Sequence, residues 1–256
     1  MKLPFVISIP HCSGSVPEEI RTRMALNDRE ILDAVDIGTG EIFGPLDAGY
    51  VMQARWCRLV ADLNRSPESR GVKSVVALTD YQGRRVFHAG EEPDETEIEN
   101  RVKMYHAPYH QSLARAFGKN GVKALFDCHS LEGVAPADAP DAGRKRGDII
   151  LSNNGDLKGE PLEKGTGVTC PPETFLHIRA AFEDQGFSVM LNDPYKGGYI
   201  TRHYGTQARK TGKICVQIEV NQNLFIDEDK ARPDSEKLEQ VRQKVTFAME
   251  GVAKTI

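Results

Sequence analysis

Two apolar runs in this chain stop at a histidine. Val6-Ile-Ser-Ile-Pro-His11 is the first, and Ala124-Leu-Phe-Asp-Cys-His-Ser130 is the second. Runs of this length read as buried strands, and α/β proteins gather ligands where such strands end at their carboxyl edge. A neutral imidazole at that edge can ligate a metal or carry a proton. The plainer reading of each is a buried histidine with its hydrogen bonds satisfied. Two other runs have the same form. Leu59-Val-Ala-Asp-Leu-Asn-Arg65 ends in an Asn-Arg pair, and Ile214-Cys-Val-Gln-Ile-Glu-Val-Asn221 carries Glu219 and Asn221. The expectation is that these four strand ends meet at one site.

Asp36 adds a carboxylate. It shares the apolar stripe of a helix expected from Asn27 or Asp28 to about Leu46, where an unpaired charge is too costly to bury. His11, His129 and Asp36 together offer two nitrogens and one oxygen, the donor set of a catalytic zinc with an open position. Manganese, iron or nickel can use the same donors. Glu219 alternates with Val216, Ile218 and Val220. It is either the wet face of an edge strand or a general base that takes a proton from water and returns it to a leaving amine. Asn64, Arg65 and Asn221 are candidates for substrate contact, since arginine grips a carboxylate with a two-pronged fork; a surface arginine is the alternative. Arg202 and His203 follow Gly197-Gly198 and could add an anion contact and an oxyanion donor, or lie in a simple turn. His106 and His110 stand four apart on an expected helix, but Tyr105 and Tyr109 beside them mark an ordinary packed or surface face.

These residues need an α/β frame. Strands are expected at about 5–9, 50–54, 57–63, 124–130, 148–152, 188–191 and 214–220. Helices are expected at about 27–46, 96–117, 172–185 and 234–252, and 199–205 reads as loop. The alternation favours one mostly parallel mixed sheet with helices on both faces. A single domain over residues 1–256 follows, with excursions at about 66–100 and 135–170 over the active face. Hydrophobic residues make up 39% and charged residues 27% of 256, enough for a real core. The net charge of −4 gives no basic excess for nucleic acid or an anionic membrane. No run is long enough to span a bilayer, and the N-terminus does not read as a signal peptide. Five cysteines without a Cys-x-x-Cys pair fit reduced thiols in a cytoplasm.

The set Pro10-His11-Cys12-Ser13-Gly14, Asp62-Leu-Asn-Arg65, Asp127-Cys-His-Ser130, Asn192-Asp-Pro-Tyr-Lys-Gly-Gly198 and Gln217-Ile-Glu-Val-Asn221 resembles the N-formylglutamate amidohydrolase family, over about residues 5–225. The resemblance implies a zinc-exopeptidase type of fold, one zinc per chain, and hydrolysis of an N-acyl amide of an acidic amino acid, with formate and glutamate as products. It implies His11 and His129 as ligands, Asp36 as the third with Glu18 or Glu19 as rivals, Glu219 as the catalytic carboxylate, and Asn64-Arg65 as the grip on substrate. Cys12 is an insertion into the usual His-Ser-Gly. The alternatives are hydrolysis of another N-acyl amino acid or short peptide, and a non-catalytic binding protein, for which Cys12 speaks.

Overall fold

The structure, a computed structural model, describes residues 2–136, 139–163, 167–226 and 233–256. In chain order the elements are β1 (Leu3–Ile9), α1 (Glu18–Arg21), α2 (Asp28–Leu32), α3 (Thr39–Phe43), β2 (Ala48–Gln53), α4 (Glu95–Arg101), a π-helical turn (Val102–His106), α5 (Ala107–Phe117), β3 (Ala124–Leu131), β4 (Ile149–Ser152), α6 (Pro172–Glu183), β5 (Val189–Leu191), α7 (Tyr199–Ala208), β6 (Ile214–Asn221), a 3₁₀ turn (Gln222–Leu224) and α8 (Ser235–Thr255). Among the described residues the strands form one sheet in the order β2-β1-β3-β6-β4-β5. β2, β1, β3 and β6 are parallel, while β4 runs antiparallel to β6 and parallel to β5. The expected α/β architecture with a mostly parallel mixed sheet is present.

Period-two alternation sorts the side chains of the central strands. Ile7, Ile9, Phe126, Cys128, Val216 and Ile218 pack with Phe43, Phe175, Phe182, Val245 and Met249 from α3, α6 and α8. Val6, Leu125 and Cys215 pack on the opposite face with Leu113, Phe117, Ile200 and Tyr204 from α5 and α7. Each such side chain contributes about 1.5–3 kcal/mol on burial. Asp127 and His129 share the parity of Leu125, and Gln217 and Glu219 that of Cys215. The polar ends of β3 and β6 therefore lie on the α7 side.

Strand order reverses between β1 and β3, because β2 adds to one flank of β1 and the later strands to the other. The crevice outside the carboxyl ends at such a switch point is where open α/β sheets bind ligands. His11 and His129 both stand there.

Three local expectations are corrected. Cys57 to Leu63 forms turns, not a strand. Its Cys57, Leu59 and Val60 are taken up by a second apolar cluster with Val75, Val76, Val86 and Phe87. The 66–100 excursion thus packs against residues 20–34 and 57–60 through a shared small core, and Tyr81 is its contribution to the pocket described below. The expected 27–46 helix is two short ones separated by Gly38, whose φ of 81° breaks helical geometry. Residues 199–205 lie in α7, not in a loop. β6 is interior and fully buried, so of the two readings of Glu219 the wet face of an edge strand does not hold. In the 135–170 stretch, 137–138 and 164–166 lie outside the described residues.

Candidate metal centre and active-site pocket

His11 lies in the turn that follows β1, and His129 near the end of β3. Asp36 comes to them from the turn between α2 and α3, not from a helix stripe. Its backbone N–H donates to the His11 carbonyl at 3.0 Å, which ties that turn to the end of β1. Asp36 Oδ2 stands 3.3 Å from His11 Nδ1 and 2.7 Å from His129 Nδ1. One donor atom from each of the three lies within 4.8 Å of the others, a group able to hold a metal ion. Glu18 and Glu19 sit apart on α1, where Glu19 accepts from the Tyr105 hydroxyl at 3.5 Å. Cys12 directs its thiol at the Ile9 and Ala54 carbonyls at 3.4 and 3.7 Å.

The far nitrogen of each imidazole has a carboxylate partner. His11 Nε2 is 2.8 Å from Asp62 Oδ1, and His129 Nε2 is 3.1 Å from Asp127 Oδ1. Such partners orient a ligating histidine and leave its near nitrogen free to bind. Asp62 also accepts two hydrogen bonds from Arg58, at 2.6 and 3.1 Å, and one from the Asn64 amide at 2.9 Å. Asp127 accepts from Ser8 at 3.5 Å and Thr201 at 3.3 Å. Burial works against the charge on Asp36 and Asp62. His11 and His129 outweigh it for Asp36, and Arg58 with His11 for Asp62, so both carboxyls stay below their usual range. Burial likewise disfavours a charged His129, yet Asp127 and Asp36 hold its proton affinity well above the usual value. Asp36, Asp62, Asp127 and Glu219 thus surround two imidazoles, with the Arg58 guanidinium close and Arg65 4.0 Å from Asp62. A dication meets that charge demand, and the nitrogen–oxygen donor set suits one.

Glu219 is the register partner of His129 across β3 and β6. Its Oε1 accepts from Gln217 Nε2 at 2.9 Å, while Gln217 Oε1 accepts from the Gly198 N–H at 2.7 Å. Burial pushes the Glu219 carboxyl up to about 8. His129 opposes that, and Asp36 and Asp127 add to it. A carboxyl so placed is suited to take and return a proton near neutral pH.

These groups share a cavity of about 330 Å³. His11, Asp36, His129 and Glu219 line it, as do Asn64, Arg65 and Arg202. Asn64 sits between His129 and the start of α7. Its Nδ2 lies 3.0 Å from His129 Nε2 and its Oδ1 accepts from the Ile200 N–H at 2.8 Å. Arg65 lines the cavity, is 38% exposed, and has its Nε 4.0 Å from Asp62 Oδ2. His203 is not among the lining residues. It stacks on Tyr199 and lies 3.0 Å from Gln207 Nε2. Asn221 is also elsewhere, donating to the Arg146 and Gly147 carbonyls and capping the turn at Asn223. Sequence reasoning passed over Arg58, Asp62, Tyr81, Arg146, Tyr195, Lys196 and Gln217. Of these, Asp62, Tyr195, Lys196 and Gln217 stand inside the quoted motifs, and Asp62 and Gln217 lie two residues from a chosen one, which was the available signal.

The family model for N-formylglutamate amidohydrolase matches residues 3–226. An N-formylglutamate deformylase from Pseudomonas putida is 27% identical over 256 residues, covering 95% of this chain and 90% of the relative. One from Pseudomonas aeruginosa is 25% identical over 239 residues, covering 89% and 84%. Among solved structures, N-formylglutamate amidohydrolase from Ralstonia eutropha JMP134 superposes with a TM-score of 0.77 at 17% identity, covering 100% of this chain and 94% of that one. At that identity the likeness speaks for the fold alone.

Proposed function

Because the chain belongs to the N-formylglutamate amidohydrolase family, we propose that it hydrolyses the amide of N-formylglutamate to formate and glutamate, with a metal held by His11, Asp36 and His129. The convergence of those three side chains beside Glu219 in one pocket carries the proposal. Zinc is the ion that two imidazoles and one carboxylate suit best. A divalent cation there supplies positive charge against the acyl oxygen and acidifies water nearby.

The remaining steps belong to the chain's own residues. Glu219 takes the proton of the attacking water as the new C–O bond forms. It delivers that proton to the amine nitrogen as the C–N bond breaks. Gln217 holds Glu219 in place. Arg65, Arg202 and Lys196 line the same pocket, and their charges are available for the two carboxylates of the substrate. Asn64 acts by positioning His129, and His203 and Asn221 support the fold around the pocket. The cytoplasm is the proposed location, in keeping with five free cysteines. Among the described residues no helix is long and apolar enough to cross a membrane.

Kinetics on N-formylglutamate test this reading. The wild type should release formate, and Glu219→Gln should keep its metal while losing about a hundredfold or more in kcat. Unchanged kcat in that variant would sink the assignment. A panel of N-acetyl and N-formyl amino acids would show whether another amide is preferred.

A further inference from the structure

Residues 63–65 have no strand partner, yet their backbone polar groups are nearly all engaged. Asn64 N–H donates to Asp62 Oδ1, Arg65 N–H to the Asp62 carbonyl at 3.2 Å, and the Tyr199 N–H to the Asn64 carbonyl at 3.3 Å. The carbonyls on either side of Asn64 go to two histidines. His110 Nε2 donates to the Leu63 carbonyl at 2.9 Å, and His106 Nε2 to the Arg65 carbonyl at 3.0 Å. A carbonyl can only accept, so each Nε2 carries the proton. His110 Nδ1 lies 3.1 Å from the Tyr204 hydroxyl, which donates to the His110 carbonyl at 3.0 Å.

The two rings stack at 4.1 Å and 19°. They are four residues apart, and His106 ends the π-helical turn that interrupts α4 and α5. Such turns carry an extra residue and re-aim the side chains that follow, often at functional sites. Both histidines are held below their usual proton affinity, His110 to about 3, by burial first. Neutral rings can stack and donate at once without repelling each other.

We propose that His106 and His110 are positioning residues, a stacked pair that fixes the Asn64-Arg65 segment between the candidate metal ligand His129 and the mouth of the pocket. Asn64 passes the constraint to His129 and to the start of α7, and Arg65 is presented to the cavity. The substrate-binding half of this proposal rests on the Arg65 role proposed above. The backbone half does not.

Hydrogen–deuterium exchange across residues 58–68, read beside steady-state kinetics on N-formylglutamate, tests both halves. His110→Leu and His106→Leu should speed exchange in this segment by about tenfold while the β3 and β6 peptides stay as in the wild type. KM should rise by about tenfold with a smaller change in kcat. His110→Gln and His106→Gln keep a donor at similar reach and should restore both values. If a Leu variant does not fold, the Asn variant, whose amide is too short to reach the carbonyl, takes its place. Unchanged exchange at 58–68 in a folded variant overturns the proposal, as does an increase spread evenly over the chain. A wild type inactive on N-formylglutamate counts against the proposed function instead, and the exchange result still decides the role of the histidine pair.

Discussion

His129 and Glu219 face the same side of the sheet as register partners on adjacent parallel strands. One neighbours Asp36 at the candidate metal site and the other is the candidate base. Strand pairing alone therefore sets their separation, and it is buffered against loop motion. The same arrangement buries Glu219 beside Asp36 and Asp127, which is costly to the fold.

That cost is measurable. Glu219 titrates near 8 in the folded chain against an ordinary 4.5. Its folded pKa is raised, so the folded state holds a proton that the unfolded chain releases, and stability falls as pH rises from about 5 to about 8. In chelator-treated protein, Glu219→Gln is expected to be more stable than the wild type at pH 8, by on the order of a few kcal/mol, with little difference near pH 4.5. Thermal melts across that range check it. A difference that does not change with pH would contradict it.

Asp62 is the outer partner of His11, held in place by Arg58 and the Asn64 amide. Asp62→Ala is expected to weaken metal binding by about 10–100-fold, since outer partners of ligating histidines typically matter by that much. Competition with a coloured chelator measures it. Affinity equal to the wild type would show that Asp62 does not orient His11.

Gln217 bridges Glu219 and the Gly198 amide at the start of α7. Gln217→Met keeps the volume and removes both hydrogen bonds. We expect kcat to fall by about tenfold or more with KM little changed. A rise in KM alone would assign Gln217 to substrate binding instead.

Much of the frame was legible because β1, β3 and β6 are buried on both faces and so read as apolar runs with polar ends. His11, His129 and Glu219 could be picked out for that reason. The run at 57–63 misled because a satellite core asks for the same apolar residues as a sheet does. Gly197-Gly198 and the polar Arg202 and His203 make α7 read as loop. Its apolar Ile200, Tyr204 and Ala208 at i, i+4 and i+8 were the helical signal. Asp36 arrived at the pocket by a turn rather than by the helical stripe that had pointed to it. The supporting contacts of Asp62, Gln217, His106 and His110 depend on distances between segments far apart in the chain, which no local pattern encodes.

The central claim is that His11, Asp36 and His129 hold the ion on which hydrolysis depends. The most direct measurement is a zinc titration of chelator-treated protein, following formate release from N-formylglutamate at each addition. Activity should be absent at the start and rise linearly to a plateau at about one zinc per chain, and His129→Ala should give no plateau. Full activity without zinc, or an unchanged titration in His129→Ala, would contradict the account.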